Sequence, residues 1–212
     1  MAYTPLTADN SAVVLIDHEV GFSNLIGSHP IADNLNATLA LAKTAKVFEL
    51  PLVVTSAYED SPAGPLYPEL VEVLGDTPVI HRDPVFDAFD SAEFSAAVEA
   101  TGRKKLIMAG VLTEICLAFT ALTALDQGHE VYIVVDASAG STKETHDAAL
   151  MRLVQAGAVP VDWMTVGSEV MRGWVDQPKA PAFGEVIYTH SPAWRHLGAH
   201  TSSVREFAQK AS

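Results

Sequence analysis

Cys116 is the only cysteine in this 212-residue chain, and its position makes it the first candidate for chemistry. It follows an apolar run, residues 105–112, where a helical pattern opened by Thr113 and Glu114 begins. Unpaired backbone N–H groups at the start of a helix favour a thiolate and can hold a developing oxyanion. A thiol there can attack a carbonyl carbon. The alternative is a cysteine that only packs in the core, because free cysteines are among the most buried residue types.

Two further residues could act with this thiol. Asp17 ends the first apolar run, residues 11–17, and Arg82 directly follows the third, residues 78–81. An aspartate can accept a thiol proton, and an arginine can hold a carboxylate ionised while stabilising negative charge. Taken singly, an aspartate at a strand end is often a turn or cap former, and a lone arginine is more often a surface residue.

The elements that would position these residues alternate along the chain. Short apolar or β-branched runs are separated by helical patterns such as residues 31–49. This alternation predicts an α/β fold, a three-layer α/β/α arrangement with a doubly wound, mostly parallel six-stranded sheet in the order 3-2-1-4-5-6. The first and fourth runs are almost continuously apolar, which predicts central strands. The expected strands are residues 11–17, 52–55, 78–81, 105–109, 130–135 and 159–163.

This strand order also predicts where a site would form. The winding reverses between strands 1 and 4, and ligands of such folds bind outside the carboxyl ends of the strands at that point. Asp17 ends strand 1 and Cys116 follows strand 4. Two residues far apart in the sequence are therefore expected to meet, which favours a functional cysteine over a packing one.

Three motifs in this order resemble the isochorismatase-like cysteine hydrolase family, most closely its bacterial YcaC-like branch. The motifs are VVLID at residues 13–17, VIHR at 79–82 and AGVLTEIC at 109–116, and the similarity extends over roughly residues 10–175. The resemblance implies the isochorismatase-like hydrolase fold and a catalytic triad of Asp17, Arg82 and Cys116. Arginine stands here where the family has lysine, and it cannot serve as a proton donor as lysine can.

The resemblance also implies a reaction. Cys116 would attack a carbonyl to form a thioester, Asp17 would carry the proton, and water would hydrolyse the intermediate. In the family a cis peptide precedes the threonine of the cysteine motif, which is Leu112–Thr113 here. The implied oxyanion hole is the backbone N–H of Cys116 with that of Leu112 or Thr113. We therefore expect an amidase-like hydrolase cleaving a C–N bond of a small molecule, whereas the vinyl-ether hydrolysis of isochorismatases would leave the cysteine without a role.

Other residues are weaker candidates. His18 and Phe22 follow Asp17 closely and could line a substrate pocket, as could Glu59 after strand 2. Packing or solvent exposure would explain them nearly as well. His146 lies in a helical pattern and is more often a partly buried helix residue than a base, so it is left outside the triad.

The sequence gives no sign of a metal or cofactor. Nicotinamidases of the broader family bind a divalent metal near strand 2, but the matching residues 56–60 (SAYED) contain no histidine pair. We expect no metal and disfavour nicotinamide as the substrate. The chain also lacks H-E-x-x-H, C-x-x-C, Walker and G-x-G-x-x-G motifs, so neither zinc nor nucleotide chemistry is indicated.

Composition limits the partners. Thirteen Lys and Arg against 26 Asp and Glu give a formal net charge of −13, which disfavours nucleic acid and anionic membranes. The N-terminus lacks the features of a signal peptide and the single cysteine precludes an intramolecular disulfide, which together predict the cytoplasm. Residues 1–177 are expected to form one domain, and the apolar extension 178–212 is expected to pack on it or on a neighbouring subunit. The YcaC-like resemblance implies a homo-oligomer, with an octamer as the suggested form.

A different class of function stays open at this stage. The same fold could serve as a non-enzymatic binder of small molecules or as a redox-responsive thiol protein. A thiol sensor normally uses a second, resolving cysteine, which this chain lacks.

Overall fold

The computed structural model describes residues 4–57, 62–175 and 177–210 and contains one six-stranded sheet. Its strands are all parallel and run in the order β3-β2-β1-β4-β5-β6, so the predicted topology is confirmed. The two central strands have every residue buried, as their apolar sequences predict. The strands are β1 (Ser11–Ile16), β2 (Leu52–Ser56), β3 (Val79–His81), β4 (Lys105–Gly110), β5 (Glu130–Val134) and β6 (Val159–Val161).

Helices cover both faces of this sheet. Because side chains alternate along a strand, Val13 and Leu15 of β1 point to one apolar cluster and Val14 and Ile16 to the other. Helices α1, α2, α6 and α7 contribute to the first cluster, and α3, α4 and α5 to the second. Their bounds are α1 (Ile31–Phe48), α2 (Pro68–Leu74), α3 (Ala92–Ala100), α4 (Ala118–Asp126), α5 (Lys143–Ala156), α6 (Trp163–Met171), α7 (Ala180–His190) and α8 (Pro192–Lys210).

The last strand is shorter than predicted. The expected strand at residues 159–163 ends at Val161, because the Asp162 side chain caps α6 by accepting a hydrogen bond from the Thr165 N–H at 2.8 Å. Trp163 therefore begins a helix. Pro160 fits β6 because this strand lies at the edge of the sheet, where a missing N–H is tolerated.

The C-terminal extension consists of two unlike helices. Helix α7 packs against α1 and adds Phe183, Val186 and Ile187 to the core. The Phe183 ring lies 5.3 Å from that of Phe48 and so close to α6 that a Cβ at Gly167 would stand 2.2 Å from it. In α8, by contrast, none of the side chains that the structure describes is buried. Across the described part of the chain, no helix combines the length and apolar character that a membrane span requires.

Candidate active site

Asp17 and Arg82 form a buried ion pair at the predicted switch point. Asp17 follows β1 with a left-handed backbone (φ 56°), and its N–H donates to Thr55 O at 3.0 Å. Arg82 follows β3 and donates its backbone N–H to Ser56 O at 3.1 Å. Its Nη2 donates to Asp17 Oδ2, and each side chain is only 1% exposed. The second guanidinium nitrogen, Nη1, donates to Val85 O, so the fork of Arg82 is held at both ends.

The thiol of Cys116 interacts with both members of this pair. Burial, with a smaller contribution from the Asp17 carboxylate, raises the pKa of Cys116 to about 12, against the lowering effect of Arg82. Burial also raises the pKa of Asp17, against the lowering effects of Arg82, of the Cys116 thiol and of the Ala57 N–H. The proton therefore rests on sulfur, next to a carboxylate that can receive it.

This electrostatic state differs from the thiolate that a helix start would favour. Cys116 lies inside a π-helical turn, Thr113–Leu117, which precedes α4, and its side chain is 9% exposed. In that position burial and the neighbouring carboxylate raise the pKa of the thiol and favour its protonated form.

The turn before Cys116 differs from the sequence-based expectations in two respects, the position of the cis peptide and the role of the Thr113 N–H. The cis peptide joins Val111 and Leu112, one residue earlier than the predicted Leu112–Thr113 bond. The Thr113 N–H already donates to Ala139 O at 2.9 Å, because residue 111 pairs with Ala139 at the end of β4 and holds the following residue against the same segment. Thr113 is thus a poor oxyanion donor, and Leu112 and Cys116 are the candidates that stay.

The three predicted substrate-contacting residues have different positions. Phe22 lies in a 3-10 turn, Phe22–Leu25, and packs with Leu112 in a small apolar cluster beside the cysteine turn. His18 is fully buried, and its Nε2 lies 3.0 Å from Ala137 O. Burial lowers the pKa of His18 to about 4, so it is neutral at physiological pH. Glu59 falls outside the described residues.

Sequence reasoning left out a polar cluster next to the cysteine turn. Glu114 Oε1 accepts hydrogen bonds from the N–H of Ser141 at 2.9 Å and from its hydroxyl. His146 Nδ1 lies 2.9 Å from Thr113 Oγ1, and burial lowers the pKa of His146 to about 4. His146 is thus a neutral, buried residue of α5. The sequence signal was faint, since Glu114 and Ser141 belong to different crossover units.

Among the residues that the structure describes, no group of three or more His, Cys, Asp or Glu side chains could hold a metal ion. The SAYED segment lies partly outside that part of the chain.

Comparison with known proteins identifies the family. The isochorismatase domain matches residues 11–165, which include Asp17, Arg82 and Cys116. This chain belongs to the isochorismatase family. Its relatives include probable hydrolase YcaC of Escherichia coli (strain K12), 40% identical over 195 residues, covering 92% of this chain and 93% of that protein. The E. coli YcaC structure, described as an octameric hydrolase of unknown specificity, superposes with a TM-score of 0.91 at 37% identity over 96% of this chain and 99% of that one.

Two other isochorismatase-family relatives extend the comparison. YcaC from Pseudomonas aeruginosa, solved with hexane-2,5-diol and covalent acrylamide, superposes with a TM-score of 0.91 at 38% identity, covering 95% of this chain and 99% of that chain. Nicotinamidase 3 of Arabidopsis thaliana is 27% identical over 173 residues, covering 72% of this chain and 84% of that protein. The named hydrolases among these relatives support hydrolysis as the reaction class.

Proposed function

We propose that this isochorismatase-family protein is a cysteine hydrolase that cleaves a C–N bond of a small amide through a thioester on Cys116. The observation that carries the proposal is the buried contact of the Cys116 thiol with an Asp17 carboxylate that Arg82 holds in place. A buried acid–base pair beside a nucleophile at the switch point of a parallel sheet is the arrangement that covalent catalysis requires.

The first half of the reaction transfers the acyl group. Asp17 takes the thiol proton as Sγ attacks the carbonyl carbon, and the oxygen becomes an anion stabilised by the N–H groups of Leu112 and Cys116. The tetrahedral intermediate then collapses. The C–N bond breaks, Asp17 returns the proton to the leaving nitrogen, and the acyl group stays on sulfur as a thioester.

The second half releases the acid. Asp17 takes a proton from water as the water oxygen attacks the thioester, the C–S bond breaks, and sulfur recovers the proton. Arg82 stays cationic throughout and keeps Asp17 oriented toward the thiol. The acrylamide bound covalently to the Pseudomonas relative supports access of a molecule of that size to a nucleophile in proteins of this kind.

Ammonia release from a panel of small primary amides tests this function. We expect turnover by the native protein, none by Cys116→Ala, and a loss of about 100-fold or more in Asp17→Asn, because the thiol then has no base. Quenched reactions analysed by intact mass should carry one acyl group on Cys116. If Cys116→Ala keeps full activity, hydrolysis does not use this thiol and the proposed mechanism fails. If the native protein releases no ammonia and carries no acyl adduct with any amide, a small-molecule binder replaces the hydrolase.

The redox alternative is less well supported. Oxidants react with thiolates, and a thiol whose pKa is raised to about 12 is largely protonated near neutral pH.

We further propose that the protein forms a homo-oligomer in which α8 contacts a second copy of the chain. The octameric E. coli relative supports self-association. Trp194, Leu197, Val204 and Phe207 recur at helical spacing on one side of α8, and all four are exposed. A single helix of this length is marginal in water without packing, so this apolar stripe needs a cover.

The charge of α8 and the shape of the surface beside it indicate that a second copy of the chain covers the apolar stripe. Helix α8 carries Arg195, Arg205 and Lys210 against the single acid Glu206, in a chain of net charge −13, so a second copy attracts it. Beside α8 lies an apolar cavity of about 760 Å³, bordered by Trp174 and Tyr188 among others. Such a cavity has room for the large side chains of the stripe.

Light scattering tests this contact with matched variants. The pair Leu197→Glu and Val204→Glu places two charges on the stripe and should give a smaller particle than the native protein. The control pair Ala199→Glu and Ser202→Glu adds the same charge on the opposite side of α8 and should leave the mass unchanged. Equal masses for both pairs would remove α8 from the interface.

A further inference from the structure

The turn that carries Cys116 is tied to one neighbouring segment, residues 139–146, at successive positions. Thr113 N–H donates to Ala139 O at 2.9 Å, and the Thr113 hydroxyl lies 2.9 Å from His146 Nδ1. One residue later, Glu114 Oε1 accepts from both the backbone N–H and the hydroxyl of Ser141. The cysteine turn is thus braced from outside the triad, on a side that Asp17 and Arg82 do not touch.

The bracing segment is itself held firmly. The carbonyl of Gly140 accepts from the N–H groups of Gly27 and Ser28 at 3.0 and 3.2 Å, and Gly140 N–H donates to Ser28 Oγ at 2.9 Å. The approach of the two segments is close enough that a Cβ at Gly140 would lie 2.6 Å from Glu114 Oε2. Ser141 therefore offers its two donors from a fixed position.

Glu114 is an ionised acceptor in this contact. Its side chain is half-buried, and burial is the largest single influence and raises the pKa of its carboxyl. The hydrogen bonds from Ser141, from its own backbone N–H and from Thr145 together lower the pKa more, so the net direction is down. Hydrogen bonds to a charged acceptor are stronger and more directional than neutral ones. The carboxylate can therefore fix the orientation of the backbone on either side of it.

We infer that Glu114 is a positioning residue of the oxyanion hole. It stands midway between Leu112 and Cys116, two residues from each of the N–H groups that would hold the oxyanion. Fixing Glu114 on Ser141 keeps both N–H groups directed at one point in front of the Cys116 sulfur. The inference rests on the proposed cysteine hydrolase function and assigns Glu114 no contact with the substrate.

Two reactions of the same thiol separate positioning from general damage. Acylation by p-nitrophenyl acetate passes through a tetrahedral oxyanion and uses the two N–H groups. Alkylation by iodoacetamide is a direct displacement at carbon by the thiolate and forms no oxyanion. A loss of N–H alignment therefore slows acylation far more than alkylation, whereas damage to the thiol or its burial changes both rates together.

The experiment measures both rates by intact mass over a pH series in the native protein, Glu114→Ala, Glu114→Gln and the control Glu144→Ala, which removes a nearby exposed carboxylate of α5. We expect Glu114→Ala to slow acylation at least about tenfold while alkylation changes less than about twofold, with the control like the native protein. Glu114→Gln keeps an acceptor oxygen for Ser141 and should recover most of the acylation rate. Ser141→Ala, which removes only the hydroxyl donor, should give a smaller loss and serves if Glu114→Ala does not fold.

Opposite results are easily recognised. Unchanged acylation in Glu114→Ala and in Ser141→Ala, or equal slowing of acylation and alkylation, overturns the positioning role while leaving the hydrolase intact. Failure of the native protein to acylate at Cys116 overturns the proposed function and this inference with it.

Discussion

Arg82→Met should weaken the fold as well as the site, in a way that depends on pH. The guanidinium is the main influence that lowers the pKa of Asp17 against burial, and the side chains of both residues are 1% exposed. Removing one member of a buried ion pair leaves the other charge without compensation. We expect a loss of about 3–5 kcal/mol in the free energy of unfolding near neutral pH.

The direction of the pH dependence follows from the raised pKa of Asp17 in the folded protein. An acid whose pKa is raised on folding holds its proton more tightly in the folded state, so its contribution is present at low pH and falls as pH rises above the unfolded value near 3.8. In Arg82→Met the pKa of Asp17 rises further. The loss relative to the native protein should therefore shrink on acidification, by about 1.4 kcal/mol for each pH unit between the folded pKa of Asp17 in the variant and its folded pKa in the native protein, because the unfolded state is the same in both.

Urea unfolding at several pH values and one fixed subunit concentration measures this loss, because self-association would otherwise change the apparent stability. Lys143→Met is the matched control, since it breaks an exposed ion pair with Asp147 and should cost little at any pH. An Arg82→Met protein as stable as the native one at neutral pH, or a loss that stays constant on acidification, would refute the reasoning.

Three further expectations concern single groups. Iodoacetamide should label native Cys116 slowly near neutral pH and faster toward pH 12. In Asp17→Asn the labelling profile should move to lower pH, because the Asp17 carboxylate raises the pKa of the thiol. Labelling of the native protein as fast as that of an ordinary free thiol would contradict this expectation. The pKa of His146 is lowered to about 4 in the folded protein, so this side chain takes up a proton more readily when the chain is unfolded. The free energy of unfolding should therefore fall as the pH drops from 6.5 to 4. Urea titrations of His146→Asn should show a smaller fall. Phe183→Ala should lower the free energy of unfolding by about 3–5 kcal/mol in the same assay, since its ring is fully buried between α7 and α1. A loss as small as that of a surface substitution would show that α7 is not part of the core.

The strand order and the meeting of Asp17 with Cys116 could be predicted from the sequence because both depend on patterns that persist along the chain. The continuously apolar β1 and β4 had to be central, and this alone brings Asp17 and Cys116 to one edge of the sheet. The boundary at Asp162 was missed because one capping side chain decides between strand and helix there.

Features that arise only between distant segments could not be predicted. The raised pKa of Cys116 depends on how deeply the π-turn is buried, and no local pattern encodes that depth. The Thr113 N–H donates to Ala139 O, and Glu114 accepts from Ser141. Both hydrogen bonds require the approach of two loops that are separated in the sequence by a complete strand.

The position of β1 also has a consequence for synthesis of the chain. This strand is made first, yet it lies at the centre, and β4, which covers its second edge, emerges only with residues 105–110. Until then the nascent chain carries a fully apolar strand with one open edge, the kind of surface that recruits chaperones or pairs wrongly with another chain. Cys116 follows, within the next turn of the chain, the strand that closes this edge. The Cys116–Asp17 contact can therefore form only in a molecule in which β4 already covers the second edge of β1. If the proposed function holds, catalytic activity then measures the fraction of chains in which this edge has closed correctly.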